Sequence, residues 1–304
     1  MTRRTLLGLM ASAAVTPPAA ARAQGITAAA ITQRPIPSSR EPLPVVGLGT
    51  WRVFDVGAGP AERAPLREVL QRFVALGGRV VDSSPMYGAA ESVVGDLGAD
   101  LGITERLFLA TKVWTSGRAA GVAQMEQSRV RLRTRRVDLM QIHNLLDWRV
   151  QLRTLREEKA ADRIRYVGVT HYTVSAYDEL ERVLRSEPLD VVQVNYSLGE
   201  RDAARRILPL ARDRGVAVLV NRPFSEGGLF RSVRDRPLPA WAAEIDCTSW
   251  AQVFLKWILA HPAVTCPIPA TSDPDHLRDN VAAGRGRLPD DALRRRIVTE
   301  LGLD

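Results

Sequence analysis

From residue 45 onward, short runs of β-branched and other apolar residues alternate with longer stretches whose apolar positions recur every three or four residues. A short apolar run predicts a buried strand, and the longer spacing predicts an amphipathic helix. The helical pattern covers 65–78, 89–102, 175–187, 202–215 and 248–262, with a final helix over 290–298. The eight candidate strands are 45–51, 79–84, 107–113, 137–143, 166–171, 191–197, 216–223 and 264–270.

These strands follow one another at intervals of roughly 25–34 residues as far as the seventh, which indicates repeated β-α units rather than hairpins. Eight units in about 250 residues favour a closed (β/α)8 TIM barrel over an open doubly wound sheet. No glycine-rich phosphate fingerprint follows the first strand, which also disfavours the Rossmann alternative. No linker interrupts residues 45–284, so we predict a single α/β domain, with 31–44 as a short cap or hairpin before it.

Four polar residues close or follow three successive strands, namely Asp82, Tyr87, Lys112 and His143. Because the carboxyl ends of barrel strands converge on one face, we expect these side chains to share a site. A phenol beside an ammonium is a way of making a proton donor that works near neutral pH. Taken singly, each residue also has an ordinary structural role, such as a turn cap, a core aromatic, a snorkelling lysine or a hydrogen-bonded histidine.

Composition narrows the choice of function. The chain has 304 residues, 45 % of them hydrophobic and 25 % charged, with a formal net charge of +8, as in a soluble globular protein. Basic residues, including the cluster at 131–136, are interleaved with acidic ones, so we interpret the excess as a preference for arginine rather than as a nucleic-acid surface. Lysine occurs only at 112, 159 and 256; a strand-end lysine suggests a role that a guanidinium could not fill, although chance retention explains it equally well.

The first 25 residues have the pattern of an export signal rather than of a fold. Arginines at 3 and 4 precede a weakly apolar run over 5–15 that is too short to span a bilayer, and Ala-Arg-Ala precedes Gln24. We predict a twin-arginine-type signal peptide over 1–23, recognised by the Tat export machinery, and a periplasmic mature protein. An ordinary secretory signal is the alternative.

The two cysteines, Cys247 and Cys266, have no metal-ligand spacing. We expect two buried thiols, with one disulfide as the alternative in an oxidising compartment.

Taken in order, seven segments give the chain a clear resemblance to the aldo-keto reductase family over residues 31–300. They are VVGLGTW (45–51), VVDSSPMYGAAESVVGDLG (80–98), ATKVW (110–114), DLMQIHN (138–144), YVGVTH (166–171), VVQVNYS (191–197) and IPATSDPDHLRDN (268–280). The resemblance implies a (β/α)8 barrel domain over 31–304 that binds NADP(H) or NAD(H) across its carboxyl face, without a metal. It also implies a small carbonyl or alcohol substrate.

The same resemblance gives the four strand-end residues their roles. Tyr87 would protonate the carbonyl oxygen as hydride arrives at the carbon, and Lys112 would stabilise the phenolate. Asp82 would hold Lys112 in place, while His143 would donate to the substrate oxygen and orient it.

The cofactor-binding residues implied by the resemblance extend from the first strand to the loop after the last. They are Gly49, Thr50, Trp51, Asp82, Thr170, His171, Gln193, Asn221, Arg222, Pro223, Phe224, Thr271, Ser272, His276, Asp279 and Asn280. Asn221 stands where many members have a tyrosine that stacks on the nicotinamide, which leaves Arg222 or Phe224 to replace it. Ala270 and His276 stand where a lysine and an arginine usually clamp the 2′-phosphate, so we expect weakened preference for NADPH and dual use of NADH.

Two other functions stay open at this point. A non-catalytic nicotinamide-binding sensor or interaction module on the same barrel is favoured by the altered cofactor residues and opposed by the intact tetrad. An unrelated barrel lyase or isomerase is favoured only if no nicotinamide binds. We expect no nucleic-acid partner, no stable membrane span, a monomer or small oligomer, and short loops that leave an open pocket for bulky substrates.

Overall fold

An antiparallel hairpin precedes the barrel in the computed structural model, which describes residues 30–303. Its strands are β1 (Gln33–Pro35) and β2 (Pro42–Pro44), paired so that Gln33 lies opposite Pro44. The hairpin buries Ile36 and Leu43 against barrel residues such as Phe108. It therefore covers the amino end of the barrel, as the pattern over 31–44 predicts.

Eight parallel strands follow, each paired with its neighbours in chain order. They are β3 (Leu48–Gly49), β4 (Val80–Asp82), β5 (Phe108–Val113), β6 (Val137–His143), β7 (Ile164–His171), β8 (Val191–Asn195), β9 (Ala217–Asn221) and β10 (Cys266–Pro267). The backbone N–H groups of Gly47 and Gly49 donate to the carbonyls of Pro267 and Pro269 at 2.9 and 3.0 Å, which closes the curled sheet between its first and last strands. The predicted barrel is confirmed, with shorter strands at this seam.

The seam depends on a close approach of two backbones. A Cβ atom added at Gly49 would lie 2.7 Å from the carbonyl oxygen of Ile268, and one at Gly47 would lie 2.9 Å from the Ile268 side chain. Only glycine allows the strands to come this near. Barrel closure therefore requires the two glycines of the segment VVGLG (45–49).

The helices lie between the strands and after the last one. They are α1 (Pro60–Ala75), α2 (Ala90–Asp100), α3 (Arg118–Arg131), α4 (Trp148–Ala160), α5 (Tyr177–Ser186), α6 (Ile207–Asp213), α7 (Gly228–Ser232), α8 (Trp250–Leu259), α9 (Pro274–Ala282) and α10 (Asp291–Glu300). The prediction of one continuous helix over 202–215 is wrong, because the segment forms two separate helical pieces. A 3-10 turn over Asp202–Arg205 ends at Arg206 and α6 begins anew, so that Pro209 falls in a first turn, where its missing N–H is not needed.

Strand residues alternate between two apolar layers. Val81, Leu109 and Met140 face the helices in the large outer core. Val80, Phe108 and Leu139 belong to a separate inner cluster that includes the hairpin residues. Because side chains alternate along a strand, every second residue toward its carboxyl end also points into the barrel.

The hairpin is also fixed by one long-range side chain. Arg34 donates to the carbonyl oxygen of Leu259 at the end of α8, at 2.6 Å, and to those of His261 and Val264 in the segment that follows. The guanidinium thus satisfies the Leu259 carbonyl, which no helical N–H can reach.

Cys247 and Cys266 are both buried and free, which confirms the prediction of two buried thiols. Burial raises the pKa of the Cys247 thiol to about 12.

Among residues 30–303, no helix is long and apolar enough to cross a membrane. The predicted signal peptide over 1–23 lies outside the described residues, so export by the twin-arginine route and a periplasmic location stay predictions.

The packing of α2 against α3 gives a test of the fold. A Cβ atom at Gly95 would lie 2.0 Å from the backbone oxygen of Arg131. We therefore expect Gly95→Ala to lower the free energy of unfolding by about 1–3 kcal/mol, as overpacking does, in urea titrations followed by circular dichroism. The control is Gly98→Ala one turn later, where the nearest atom is the movable Oγ1 of Thr104 at 3.2 Å; it should be neutral or stabilise by up to about 1 kcal/mol. Equal losses in both variants would contradict this packing.

Candidate active site

The inward face of the barrel changes from apolar to polar at its carboxyl end. Above the inner apolar cluster, the next inward positions of the strands are polar, two residues after an apolar inward neighbour in each case. They are Asp82 after Val80, Lys112 after Ala110, Gln141 after Leu139, Gln193 after Val191 and Asn221 after Leu219. The strand period therefore brings these groups together without any loop rearrangement.

Lys112 and Asp82 form a buried ion pair at the centre of this layer. Lys112 Nζ donates to Asp82 Oδ2 and to the Ser83 carbonyl, both at 2.7 Å. The amide groups of Gln141 and Gln193 each donate to Asp82 Oδ1 at 3.0 Å. Burial acts to lower the pKa of Lys112, but the facing Asp82 and Tyr87 outweigh it and the pKa is raised. The lysine is therefore held as an ammonium.

Tyr87 lies directly over this ammonium. It follows β4 in a tight turn in which its N–H donates to the Ser84 carbonyl at 3.0 Å, and Lys112 Nζ is 4.9 Å from the centre of its ring. Burial raises the pKa of Tyr87, while Lys112 acts in the opposite direction. The predicted influence of Lys112 on the phenol thus exists, but burial prevails and keeps the phenol protonated.

His143 completes the cluster at the end of β6. Its ring meets the ring of Tyr87 edge-on, with centroids 6.1 Å apart, and lies at the same distance from Trp114. Nδ1 is 3.3 Å from Ser84 Oγ. Burial, and then the charge of Lys112, lower the pKa of His143 to about 3, so the imidazole is neutral at physiological pH. The structure brings all four predicted catalytic residues together.

An open cavity of about 680 Å³ lies above the tetrad. Large apolar side chains surround its mouth with unusual exposure: Trp51, Met86, Trp114, Tyr172 and Phe230 are each 37–45 % exposed. Exposed apolar groups that gather around one concave site mark a binding surface. The predicted open pocket is present.

Most of the predicted cofactor residues line this cavity. They are Gly49, Thr50, Trp51, Asp82, Thr170, Gln193, Asn221, Arg222, Pro223 and Phe224. Six lie outside the cavity lining, namely His171, Thr271, Ser272, His276, Asp279 and Asn280. His171 accepts the N–H of Thr173 on Nδ1 and stacks on Tyr172. The carboxylate of Asp279 accepts hydrogen bonds from Ser249 and Gln252 near the start of α8, both at 2.6 Å.

The amino end of α9 carries its own anion. Oδ1 of Asp273 accepts the backbone N–H groups of Asp275 and His276 at 2.7 and 3.1 Å. Such N–H groups otherwise attract phosphate. The Asp273 carboxylate therefore occupies these backbone donors, beside the implied cofactor-binding residues Ser272 and His276, and adds a negative charge there.

Arg222 and Phe224 differ in what they offer the cavity. Arg222 has a left-handed backbone (φ 49°) and its guanidinium lies 4.7 Å from the centre of the Tyr172 ring, 3.2 Å from Glu226 Oε1. Phe224 packs its ring against Phe230, with centroids 4.8 Å apart. Both candidates to replace the missing tyrosine are thus already engaged, Arg222 with Tyr172 and Glu226 and Phe224 with Phe230.

Several residues of the site were missed from the sequence. Gln141 lies two residues before His143, so the strand period alone would have placed it on the inward face. Ser84 and Tyr172 follow Asp82 and His171 beyond the ends of β4 and β7, where the strand period no longer fixes the direction of a side chain. Between Ala30 and Leu303 no group of three or more His, Cys, Asp or Glu side chains could hold a metal ion.

A sequence model of the Aldo/keto reductase family matches residues 45–296. The chain belongs to the aldo/keto reductase family. Methylglyoxal reductase YeaE of Escherichia coli (strain K12) is 30 % identical to this aldo/keto reductase over 247 residues, which cover 79 % of this chain and 85 % of YeaE. By its family, the protein is an oxidoreductase.

Solved structures agree with this assignment. An aldo/keto reductase from Klebsiella pneumoniae in complex with NADP and acetate has a TM-score of 0.71 and 27 % identity, over 85 % of this chain and 93 % of that one. A Klebsiella pneumoniae aldo-keto reductase in complex with NADPH has a TM-score of 0.73 and 26 % identity, over 87 % and 93 % of the two chains. The barrel is thus that of the aldo/keto reductases.

The buried, neutral imidazole of His143 makes the stability of this aldo/keto reductase depend on pH. In the unfolded chain a histidine titrates near 6.5, whereas in the folded protein the pKa of His143 is about 3. As pH falls below 6.5 the unfolded state binds a proton that the folded state does not, so the free energy of unfolding falls toward pH 3. We expect His143→Gln to make this decline shallower in denaturant titrations at successive pH values.

His261 serves as an independent comparison, because burial also lowers its pKa, to about 4. His261→Gln should reduce the same decline, and the two effects should add in the double variant, because among residues 30–303 the two rings have different contacts, His143 with Tyr87 and Trp114 and His261 with Tyr196. An unchanged pH slope in His143→Gln would contradict a neutral buried imidazole.

Proposed function

We propose that this protein reduces an aldehyde or ketone with a nicotinamide cofactor, or catalyses the reverse oxidation of an alcohol. The observation that carries the proposal is the cluster itself: a phenol over a buried ammonium, beside a neutral imidazole, at the floor of one open cavity. A positioned phenol can donate a proton to a carbonyl oxygen, and the ammonium beneath it stabilises the phenolate that remains. A sensor or interaction module has no need of a buried ion pair beneath a tyrosine.

The cavity wall fits a nicotinamide. Oδ1 of Asn221 is buried and has no hydrogen-bond partner among the described residues, so it offers an acceptor to a carboxamide N–H. Gln193 uses one amide hydrogen on Asp82 and accepts from Thr170 Oγ1 at 3.2 Å, which leaves its second amide hydrogen available. The NADP and NADPH complexes of the Klebsiella pneumoniae proteins support this cofactor class.

A bound reduced nicotinamide would supply the hydride. Tyr87, kept protonated by burial, donates its proton to the carbonyl oxygen as negative charge develops there. Lys112 stabilises the phenolate that remains, and Asp82 fixes the ammonium beneath the ring. His143, neutral and facing the cavity, orients the carbonyl oxygen toward Tyr87. The apolar mouth favours bulky, apolar carbonyl compounds over small polar ones.

Removal of the phenolic hydroxyl tests the assigned acid. We expect Tyr87→Phe to lower carbonyl-dependent oxidation of NADPH or NADH by at least about 100-fold, as loss of a general acid does, across a panel from methylglyoxal to bulky aryl ketones. Binding of the cofactor, measured by fluorescence titration, should survive. The matched control is Tyr177→Phe, a buried tyrosine of α5 that lies outside the cavity lining. Undiminished turnover in Tyr87→Phe would refute the assignment.

We further propose that the protein discriminates weakly between NADPH and NADH, because Asp273 repels a 2′-phosphate at the start of α9. Asp273→Ser keeps a capping oxygen and removes the charge. We expect the ratio of NADH to NADPH dissociation constants to rise about three- to tenfold, which is the range of a surface charge interaction.

Asp290→Ser is the matched control for this experiment. Asp290 caps α10 by accepting the N–H of Leu293 at 2.8 Å, with the same capping chemistry but outside the cofactor-binding positions. Its substitution should leave the ratio of dissociation constants unchanged. Equal ratios in the wild type and in Asp273→Ser would exclude Asp273 as a determinant of preference.

A further inference from the structure

Ser84 lies between β4 and Tyr87 and is completely buried. Its hydroxyl accepts the backbone N–H of Met86 at 3.2 Å and lies 3.3 Å from Nδ1 of His143. The described residues provide no other hydrogen-bond partner for this oxygen. Ser84 is therefore the side chain in direct polar contact with the imidazole of the tetrad.

The hydrogen-bonding capacity of a serine hydroxyl determines which atom carries the proton. The hydroxyl has one hydrogen to donate and two lone pairs that accept. The Met86 N–H takes one lone pair. If Nδ1 carried a proton and donated it to Ser84, the serine hydrogen would be left buried without an acceptor, which is unfavourable. The arrangement that satisfies every group has Ser84 Oγ–H donating to an unprotonated Nδ1.

We propose that Ser84 is a positioning residue that holds His143 in the tautomer with its proton on Nε2, so that an N–H faces the substrate. A neutral imidazole carries one ring proton; with Nδ1 accepting from Ser84, that proton is on Nε2. His143 lines the cavity and Nδ1 is turned toward Ser84, which leaves Nε2 for the carbonyl oxygen. The other tautomer would present a lone pair to that oxygen and repel it. This inference rests on the proposed function only for its catalytic consequence.

The tautomer is read directly by ¹⁵N NMR of protein labelled at histidine, without cofactor or substrate. The chain has four histidines, and His143→Gln assigns the signal of interest. In the wild type we expect Nε2 of His143 to give the signal of a protonated ring nitrogen and Nδ1 that of an unprotonated acceptor. A proton on Nδ1 in the wild type would overturn the proposal.

Three variants separate the hydroxyl from general effects of substitution. Ser84→Ala should shift both ring signals toward the average of two tautomers, and Ser84→Thr, which keeps the hydroxyl, should restore the wild-type pattern. Ser83→Ala is the control for the NMR signal, because Ser83 Oγ bonds to Thr50 and not to the imidazole. Ring signals in Ser84→Ala identical to those of the wild type would overturn the proposal even if that variant lost activity.

Steady-state kinetics test whether the tautomer of His143 affects carbonyl reduction. Loss of the preferred tautomer should lower kcat/KM for carbonyl reduction about three- to tenfold in Ser84→Ala, the range of one hydrogen bond, with cofactor affinity unchanged and with recovery in Ser84→Thr. Wild-type protein that turned over no carbonyl would refute the proposed function and leave the NMR result standing. Full activity in Ser84→Ala with an altered tautomer would refute the catalytic role of Ser84.

Discussion

The ion pair between Lys112 and Asp82 is the interaction on which the rest of the site depends. Neither charge could be buried alone, because an unpaired ion loses its hydration without compensation. Asp82 also accepts from Gln141 and Gln193, so one carboxylate on β4 is bonded to side chains from β5, β6 and β8. The pair therefore places a positive charge beneath the Tyr87 ring and also links the strands of the sheet. The apolar cluster below it, which includes Phe108 and Leu139, keeps water from competing for these bonds.

The repeated β-α pattern is the reason why much of the fold and of the site could be predicted from the sequence. Eight apolar runs at regular spacing predict eight strands, and the barrel then places residues such as Lys112 and His143 on one face. What escaped prediction depends on contacts between distant segments. Nothing local shows that Gln141 reaches Asp82, that Phe224 packs on Phe230, or that burial outweighs Lys112 in its effect on the pKa of Tyr87.

For the implied cofactor-binding residues, too, the sequence does not predict which contacts the side chains make. A motif identifies where a residue stands but not what it contacts. Asp279 is one of the cofactor-binding residues that the resemblance implies, yet in this structure it ties α9 to the region where α8 begins, through Ser249 and Gln252. Asp273 likewise stands at a helix start that suits an anion and supplies the anion itself. Tyr87 and the three side chains around it lie together as the resemblance implies, whereas Asp273 and Asp279 use their carboxylates in hydrogen bonds within the protein.

The hairpin and the seam have a consequence for how the chain reaches its fold. Arg34 donates to the carbonyls of Leu259, His261 and Val264, and Gly47 and Gly49 pair with Pro267 and Pro269. The hairpin and β3 therefore find these partners only after more than 200 further residues. Contacts of such high sequence separation form late, because the loop they close must first be ordered. A growing chain on the ribosome cannot shut this barrel until about residue 270 has emerged. The barrel can therefore close only after the segment around residue 270 is available to pair with Gly47 and Gly49, and resistance to proteolysis should follow that pairing rather than the formation of the earlier strands.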